Sequence, residues 1–303
     1  MSDLPSVFVV IGQTAVGKTA QSIQLATTIN AEIISADSRQ IYRHMDIGTA
    51  KATASEQATV PHHLINVVDP DQPFTLAQYR DAALACIADI TARGKRVLVV
   101  GGTGQYLAAL LEGWTIPELP PNDELRAALE ADAARDGGSV LYDRLRALDP
   151  VAATTIHPTN VRRVIRALEV CMSTGQPFSA LRQTAPLTFR PYVYWIQADT
   201  PTLYARIDRR VDAMMDAGLV DEVTRLVAAG YDWQLPAMSG IGYREFAPWF
   251  AGTHTLDEVR QRIQFNTHAF ARRQATWFRR FQTFKLQHTD SLVAVVGRDA
   301  TQR

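Results

Sequence analysis

Residues 12–19 read GQTAVGKT, and no other stretch limits the fold so severely. Gly12, Gln13, Thr14, Ala15, Val16, Gly17, Lys18 and Thr19 match the phosphate-loop pattern GxxxxGK[ST] at every defined position. The pattern works only between a strand and a helix. Here an apolar run at 7–11 precedes it and an amphipathic stretch, about 19–30, follows. Glycines at both ends let successive backbone N–H groups curl around a phosphate at a helix N-terminus, where the helix dipole favours an anion. Lys18 adds a point charge, and the Thr19 hydroxyl is placed to hold Mg2+.

Downstream, strand-like and helix-like segments alternate. Strands are expected at 32–35, 64–68 and 96–100, with helices at 76–93 and from 106. Such alternation predicts a parallel sheet with crossovers. The character changes near Pro117. Ile116 to Pro121 (IPELPP) reads as a linker, followed by three helices at 123–136, 139–148 and 160–173. YVYWIQA at 192–198 then returns to the sheet, and the remainder reads as helical, including a long helix from the capping box at Thr255 and Glu258 to about 281. The expected fold is therefore α/β: a P-loop NTPase-like parallel sheet core, 1–117 and 191–303, with a helical insertion domain at 118–190 and a helical C-terminal region.

Net charge is zero, but its distribution is uneven. Residues 1–150 hold 12 Lys/Arg against 18 Asp/Glu, and 151–303 hold 19 against 13. Residues 259–289 carry Arg260, Arg262, Arg272, Arg273, Arg279, Arg280 and Lys285 with no acid among them. An unopposed run of this kind points to phosphate partners. Arg206 and Arg210, four apart, would share a helix face and could close over a phosphate, or pair with Asp208 and Asp212. Arg162, Arg163 and Arg166 should face outward from the helix at 160–173, with Glu169 as the only nearby acid.

A water-organising acid is expected after the 97–100 strand in common P-loop ATPases. That strand ends instead in Gly101-Gly102-Thr103-Gly104. The strand-end acid is Asp37. Ligands in open α/β sheets bind beyond the carboxyl ends of the strands, so Asp37 and Thr103 belong at the mouth of the site. The seven histidines show no metal-ligand spacing, and no GxSxG elbow is present. Cys86 and Cys171 have no CxxC spacing and read as buried structural thiols. There is no apolar run of about 18 residues and no signal-peptide pattern, so no membrane span and a cytoplasmic location are expected.

These residues resemble the bacterial tRNA dimethylallyltransferase (tRNA isopentenyltransferase) family. The matching segments are GQTAVGKT (12–19), ISADSRQIYRHMDIGTAK (34–51), PHHLIN (61–66), VGGTGQY (100–106), HPTNVRRVIRALEV (157–170), GIGYREF (240–246) and RRQATWFRR (272–280). Gln105 stands where the family commonly has an apolar residue, and Asn66 where it commonly has an acid.

The resemblance implies transfer of a dimethylallyl group from dimethylallyl diphosphate to N6 of the adenosine immediately 3′ of the anticodon, position 37 of tRNA. Asp37 would be the general base, and Thr103 would bond the bridging oxygen. Residues 12–19, Arg206 and Arg210 would hold the diphosphate with Mg2+, the only metal expected in the absence of a zinc-finger extension. RNA contacts would fall to Asp37, Ser38, Arg39, Gln40, Thr103, Arg126, Arg162, Arg163, Val164, Ile165, Arg166, Ser239, Gly240, Ile241, Gly242, Tyr243 and Arg244. The anticodon stem-loop is the expected partner, the insert its clamp, and a monomer the expected state. The alternatives are an ATP-dependent small-molecule P-loop kinase, a cytokinin-type isopentenyltransferase acting on free adenine nucleotides, and a non-catalytic RNA-binding module.

Overall fold

The computed structural model describes residues 4–115, 122–181 and 183–301. Its first half alternates β1 (Ser6–Gly12), α1 (Lys18–Ile29), β2 (Ala31–Ala36), α2 (Ala54–Thr59), β3 (His62–His63), α3 (Leu76–Ala92), β4 (Arg96–Gly101) and α4 (Gly104–Leu111). Next come β5 (Trp114–Thr115), α5 (Asp123–Asp136), α6 (Gly138–Leu148), α7 (Pro150–Thr155), α8 (Val161–Thr174), α9 (Phe178–Leu181) and β6 (Gln183–Thr184). The chain then continues through β7 (Arg190–Gln197), α10 (Thr200–Asp216), α11 (Leu219–Ala228), α12 (Ala247–Phe250), α13 (Leu256–Phe278), β8 (Phe284–Gln287) and α14 (Leu292–Thr301). The stretch read as a linker, 116–121, lies outside the described residues.

Six strands form one parallel sheet in the order β3-β2-β4-β1-β7-β8. Covered on both faces, its central strands are apolar along their length rather than alternating. Val7, Val9 and Ile11 of β1 face a core with Tyr79, Ile87 and Leu107, from α3 and α4. Phe8 and Val10 face the opposite core, with Leu25, Ile207, Val223 and Ile263, from α1, α10, α11 and α13. The sheet is thus a rigid layer whose strand ends present the site.

Two expectations about strands are corrected. Residues 64–68 form no strand: Leu64 and Asn66 have positive φ (60° and 55°), which breaks an extended run. Pairing with β2 falls instead on His62 and His63, and Val68 makes an isolated bridge to Tyr42. The region after β7 is not wholly helical either, because β8 adds a parallel edge strand to β7.

The chain divides into two compact units, Met1–Leu111 with Leu187–Arg303, and Glu112–Pro186. In the second, β5 and β6 pair antiparallel at the two ends of the segment. Its helices close on a core of Leu129, Leu141, Leu145, Val164, Ile165 and Leu168. No helix among the described residues is long and apolar enough to cross a membrane. Cys171 is buried but Cys86 only half-buried, and both are free thiols.

Candidate active site

The phosphate loop joins β1 to α1 with Gly17 in the left-handed region (φ 106°), a conformation glycine adopts without steric cost. The Lys18 ammonium donates to the loop's own carbonyls, Gly12 O at 2.7 Å and Gln13 O at 2.9 Å. Its pKa is lowered to about 7, first by burial and then by the charge of Arg210, with Asp37 opposing. A bound anion would oppose both depressing effects by favouring the charged ammonium. Arg206 donates through Nε to Ala15 O at 2.9 Å, so it braces the loop from α10. Arg210, half-buried, has its own pKa lowered by burial and by Arg206. Their neighbouring acids turn elsewhere: Asp208 pairs with His268 at 2.9 Å, and Asp212 with Arg260 at 3.6 Å. A pair of arginines without a carboxylate between them is a site prepared for an anion.

Two cavities open on this loop. The smaller, about 90 Å³, is lined by Lys18, Thr19, Asp37 and Arg210 among others. The larger, about 430 Å³, shares Asp37 and Arg210 and extends over Ser38, Arg39, Thr103 and the turn containing Ser239, Ile241, Gly242 and Arg244. All of these residues belong to the larger unit.

Asp37 follows β2 directly. Its Oδ1 accepts the Arg39 N–H at 2.8 Å, a turn contact that fixes the carboxylate without using its second oxygen. Thr103 Oγ1 accepts the Ser38 N–H at 3.0 Å and donates to Ser38 Oγ at 3.3 Å. The second bond is long, so the hydroxyl can redirect it to a stronger acceptor that arrives in the cavity.

Sequence reasoning overlooked Gln274. It lies on α13, 5% exposed, with its Oε1 accepting the Thr14 N–H at 2.8 Å and its Nε2 donating to Gly102 O at 3.0 Å. One side chain thus ties the phosphate loop to the Gly101–Gly104 turn. A Cβ on Gly102 would stand 2.3 Å from that Nε2, which explains the glycine. Phe270, Arg273 and Trp277 of the same helix line the larger cavity. The only available signal was their place in RRQATWFRR and, for Phe270, two residues before it.

Other expected contact residues are distributed differently. Gln40 is half-buried and holds its own loop, accepting from Ser35 Oγ and donating to Thr49 O and Ala50 O. Arg39 bonds Pro236 O and Ser239 Oγ. Gly240 is buried beside the Arg39 side chain. Tyr243, Val164 and Ile165 are 0%, 0% and 4% exposed, so their side chains pack inside, and any contact to RNA at these positions would fall to the backbone. Glu169, expected as the nearby acid offsetting three exposed arginines, is 1% exposed and accepts from Arg126 and Arg166, both at 3.0 Å. Arg162 and Arg163 are exposed.

No group of three or more His, Cys, Asp or Glu side chains among the described residues could hold a metal. Thr19 and Asp37 on one cavity wall do fit Mg2+, a cation that keeps most of its water and leans on substrate phosphates.

A parallel sheet carrying a phosphate loop, with a carboxylate and a larger second cavity beside it, defines a P-loop protein with room for a phosphate-bearing ligand and a second one. The family model described as IPP transferase matches residues 40–281. The tRNA dimethylallyltransferase of Roseiflexus sp. (strain RS-1) is 58% identical over 271 residues, 89% of each chain. That of Chloroflexus aggregans is 57% identical over 281 residues, 93% of this chain and 95% of its own. Among solved structures, the tRNA isopentenylpyrophosphate transferase of Bacillus halodurans has a TM-score of 0.70 at 37% identity, covering 98% of this chain and 95% of that one. A eukaryotic dimethylallyltransferase described as acting on tRNA has a TM-score of 0.83 at 29% identity, covering 99% and 80%. The chain belongs to the IPP transferase family, that of the tRNA dimethylallyltransferases.

Proposed function

We propose that this protein transfers the dimethylallyl group of dimethylallyl diphosphate to N6 of the adenosine immediately 3′ of the anticodon, position 37 of tRNA. The observation that carries the reading is a single carboxylate, Asp37, on the wall common to a cationic phosphate pocket and a larger cavity. The N6 lone pair forms the new bond to C1 of the prenyl group. The C1–O bond breaks with its electrons left on pyrophosphate, and the N6 proton passes to Asp37. An exocyclic amine is a weak nucleophile because its lone pair is delocalised into the ring, so a positioned base contributes directly. Thr103 donates to the bridging oxygen as charge builds there. Lys18, Arg210 and the loop N–H groups stabilise the departing pyrophosphate. Mg2+, held by Thr19 and the substrate's phosphates, would supply further charge neutralisation when bound.

The adenine must leave its stack to reach the cavity. Residues 118–190 act as the clamp on the anticodon stem-loop, through Arg162 and Arg163 to phosphates. Arg166 and Arg126 serve first to satisfy Glu169. The protein acts as a cytoplasmic monomer in this reading. Incubation with labelled dimethylallyl diphosphate, ATP, AMP and unmodified tRNA tests it. Label should move to tRNA alone and without ATP. Phosphoryl transfer from ATP would return the protein to the kinase class, and labelled AMP to the free-nucleotide class.

A further inference from the structure

Glu222, on α11, is 3% exposed and touches neither cavity. Its Oε2 accepts the N–H groups of Asp46 at 2.9 Å and Ile47 at 2.8 Å. Its Oε1 accepts the Gly48 N–H at 3.1 Å and the Tyr243 hydroxyl at 2.7 Å. Four donors meet the full accepting capacity of a carboxylate. No ion pair to Glu222 is present among the described residues, so these four bonds hold its carboxylate directly, with the Lys51 ammonium as a more distant charge.

What they join is specific. Gly48, Thr49 and Ala50 form one wall of the larger cavity, and Ser239, Ile241, Gly242 and Arg244 form another. Neither wall is a strand or an α-helix over those residues, apart from the single 3-10 turn Arg244–Phe246. Each lacks a ladder to hold it. Glu222 reaches both, the first through backbone N–H groups and the second through Tyr243, whose ring lies where a Cβ on Gly48 would be, 2.5 Å away. Lys51 fixes the far end of the first wall, donating to Tyr42 O, Asp46 Oδ1 and Asn66 Oδ1. Glu245, also buried, accepts the Gly242 N–H at 2.9 Å and the Asn266 amide at 2.7 Å, and so fixes the second wall to α13.

We propose that Glu222 is a positioning residue that sets the spacing of the two walls receiving the acceptor adenosine. This rests on the reading of the larger cavity as the adenosine's. The phosphate loop, Lys18 and Arg210 make no bond to Glu222, so the effect is confined to the acceptor side. Glu222→Gln keeps the shape but turns an amide N–H toward a cluster of donors. Tyr243→Phe keeps the ring against Gly48 and removes one bond.

The test measures three quantities in wild type and both variants: pyrophosphate affinity, affinity for an unmodified anticodon stem-loop RNA, and kcat and KM for prenyl transfer. Glu222→Gln should lower kcat/KM for RNA roughly ten- to hundred-fold, and Tyr243→Phe roughly three- to ten-fold. Pyrophosphate affinity should stay at the wild-type value. Unchanged RNA kinetics and affinity in Tyr243→Phe would overturn the proposal even if Glu222→Gln does not fold. A parallel loss of pyrophosphate affinity would also overturn it, by making Glu222 a general structural group. If wild type transfers nothing to RNA yet binds it, the functional reading fails, and the RNA affinity of Tyr243→Phe still decides the role of Glu222.

Discussion

Helix α10 carries Arg206 and Arg210, and helix α8 carries Arg162 and Arg166, each pair one turn apart with a further arginine adjoining. In sequence the two patterns are alike, down to acids nearby. In the structure α10's acids pair with α13, through His268 and Arg260, and leave Arg206 and Arg210 to the phosphate loop. On α8 the acid turns inward and takes Arg166 with it, leaving Arg162 and Arg163 exposed. Cations in the first arrangement act at short range and in low dielectric on one ligand. In the second they face solvent, where salt screens any partner they meet. Where the neighbouring acid goes decides between the two.

Experiments can break that contrast by separating chemistry from RNA affinity. The largest effect belongs to Asp37→Asn, which should slow single-turnover transfer roughly 10²–10⁴-fold while both substrates still bind. A near-normal rate would remove Asp37 from the mechanism. Lys18→Ala should slow transfer by raising its activation free energy about 3 kcal/mol, the scale of one charge-stabilising donor. Pyrophosphate should compete with dimethylallyl diphosphate in wild type, and dependence of transfer on ATP hydrolysis would assign the loop a different cargo.

On the insert, Arg162→Ala with Arg163→Ala should flatten the slope of log K against log salt for tRNA by about 1.5–2 units. Dimethylallyl diphosphate affinity should be unaffected. Equal slopes would make these arginines an ordinary solvated face. The smallest effect is protonic. Folding lowers the Lys18 pKa from 10.5 to about 7. This group therefore makes the free protein more stable as pH rises through that window, because the unfolded chain holds the extra proton there. A bound diphosphate favours the charged form, so pyrophosphate binding at pH 8 should take up a fraction of a proton, and at pH 6 almost none. Calorimetry in buffers of different ionisation enthalpy reads that uptake directly.

The phosphate loop, Asp37 and Thr103 were legible because each is defined by its immediate neighbours: a strand, a turn, a glycine. The parallel sheet was legible because doubly covered strands must be apolar. Gln274 and Glu222 were not, since a neutral amide in a basic helix and an acid in an amphipathic one carry no local mark. Their roles come largely from distant partners, Gly102 being 172 residues from Gln274 and Asp46 176 from Glu222. β8 escaped notice because FKLQ pairs on one side only and buries just Leu286. Asn66, which departs from the family's usual acid, still accepts from Lys51 at 2.7 Å, so the buried ammonium keeps its third partner.

The bond from Thr14 to Gln274 spans 260 positions of the chain. During synthesis the phosphate loop leaves the ribosome early, when a nascent chain folds from its N-terminal side. Until residue 274 has also emerged, the loop lacks the amide that fixes its Thr14 N–H and joins it to the Gly101–Gly104 turn. A ribosome-bound fragment ending near residue 250 would contain every glycine and lysine of the motif and hold pyrophosphate poorly. The phosphate loop therefore reaches its full set of bonds only once the helix that also lines the larger cavity is in place.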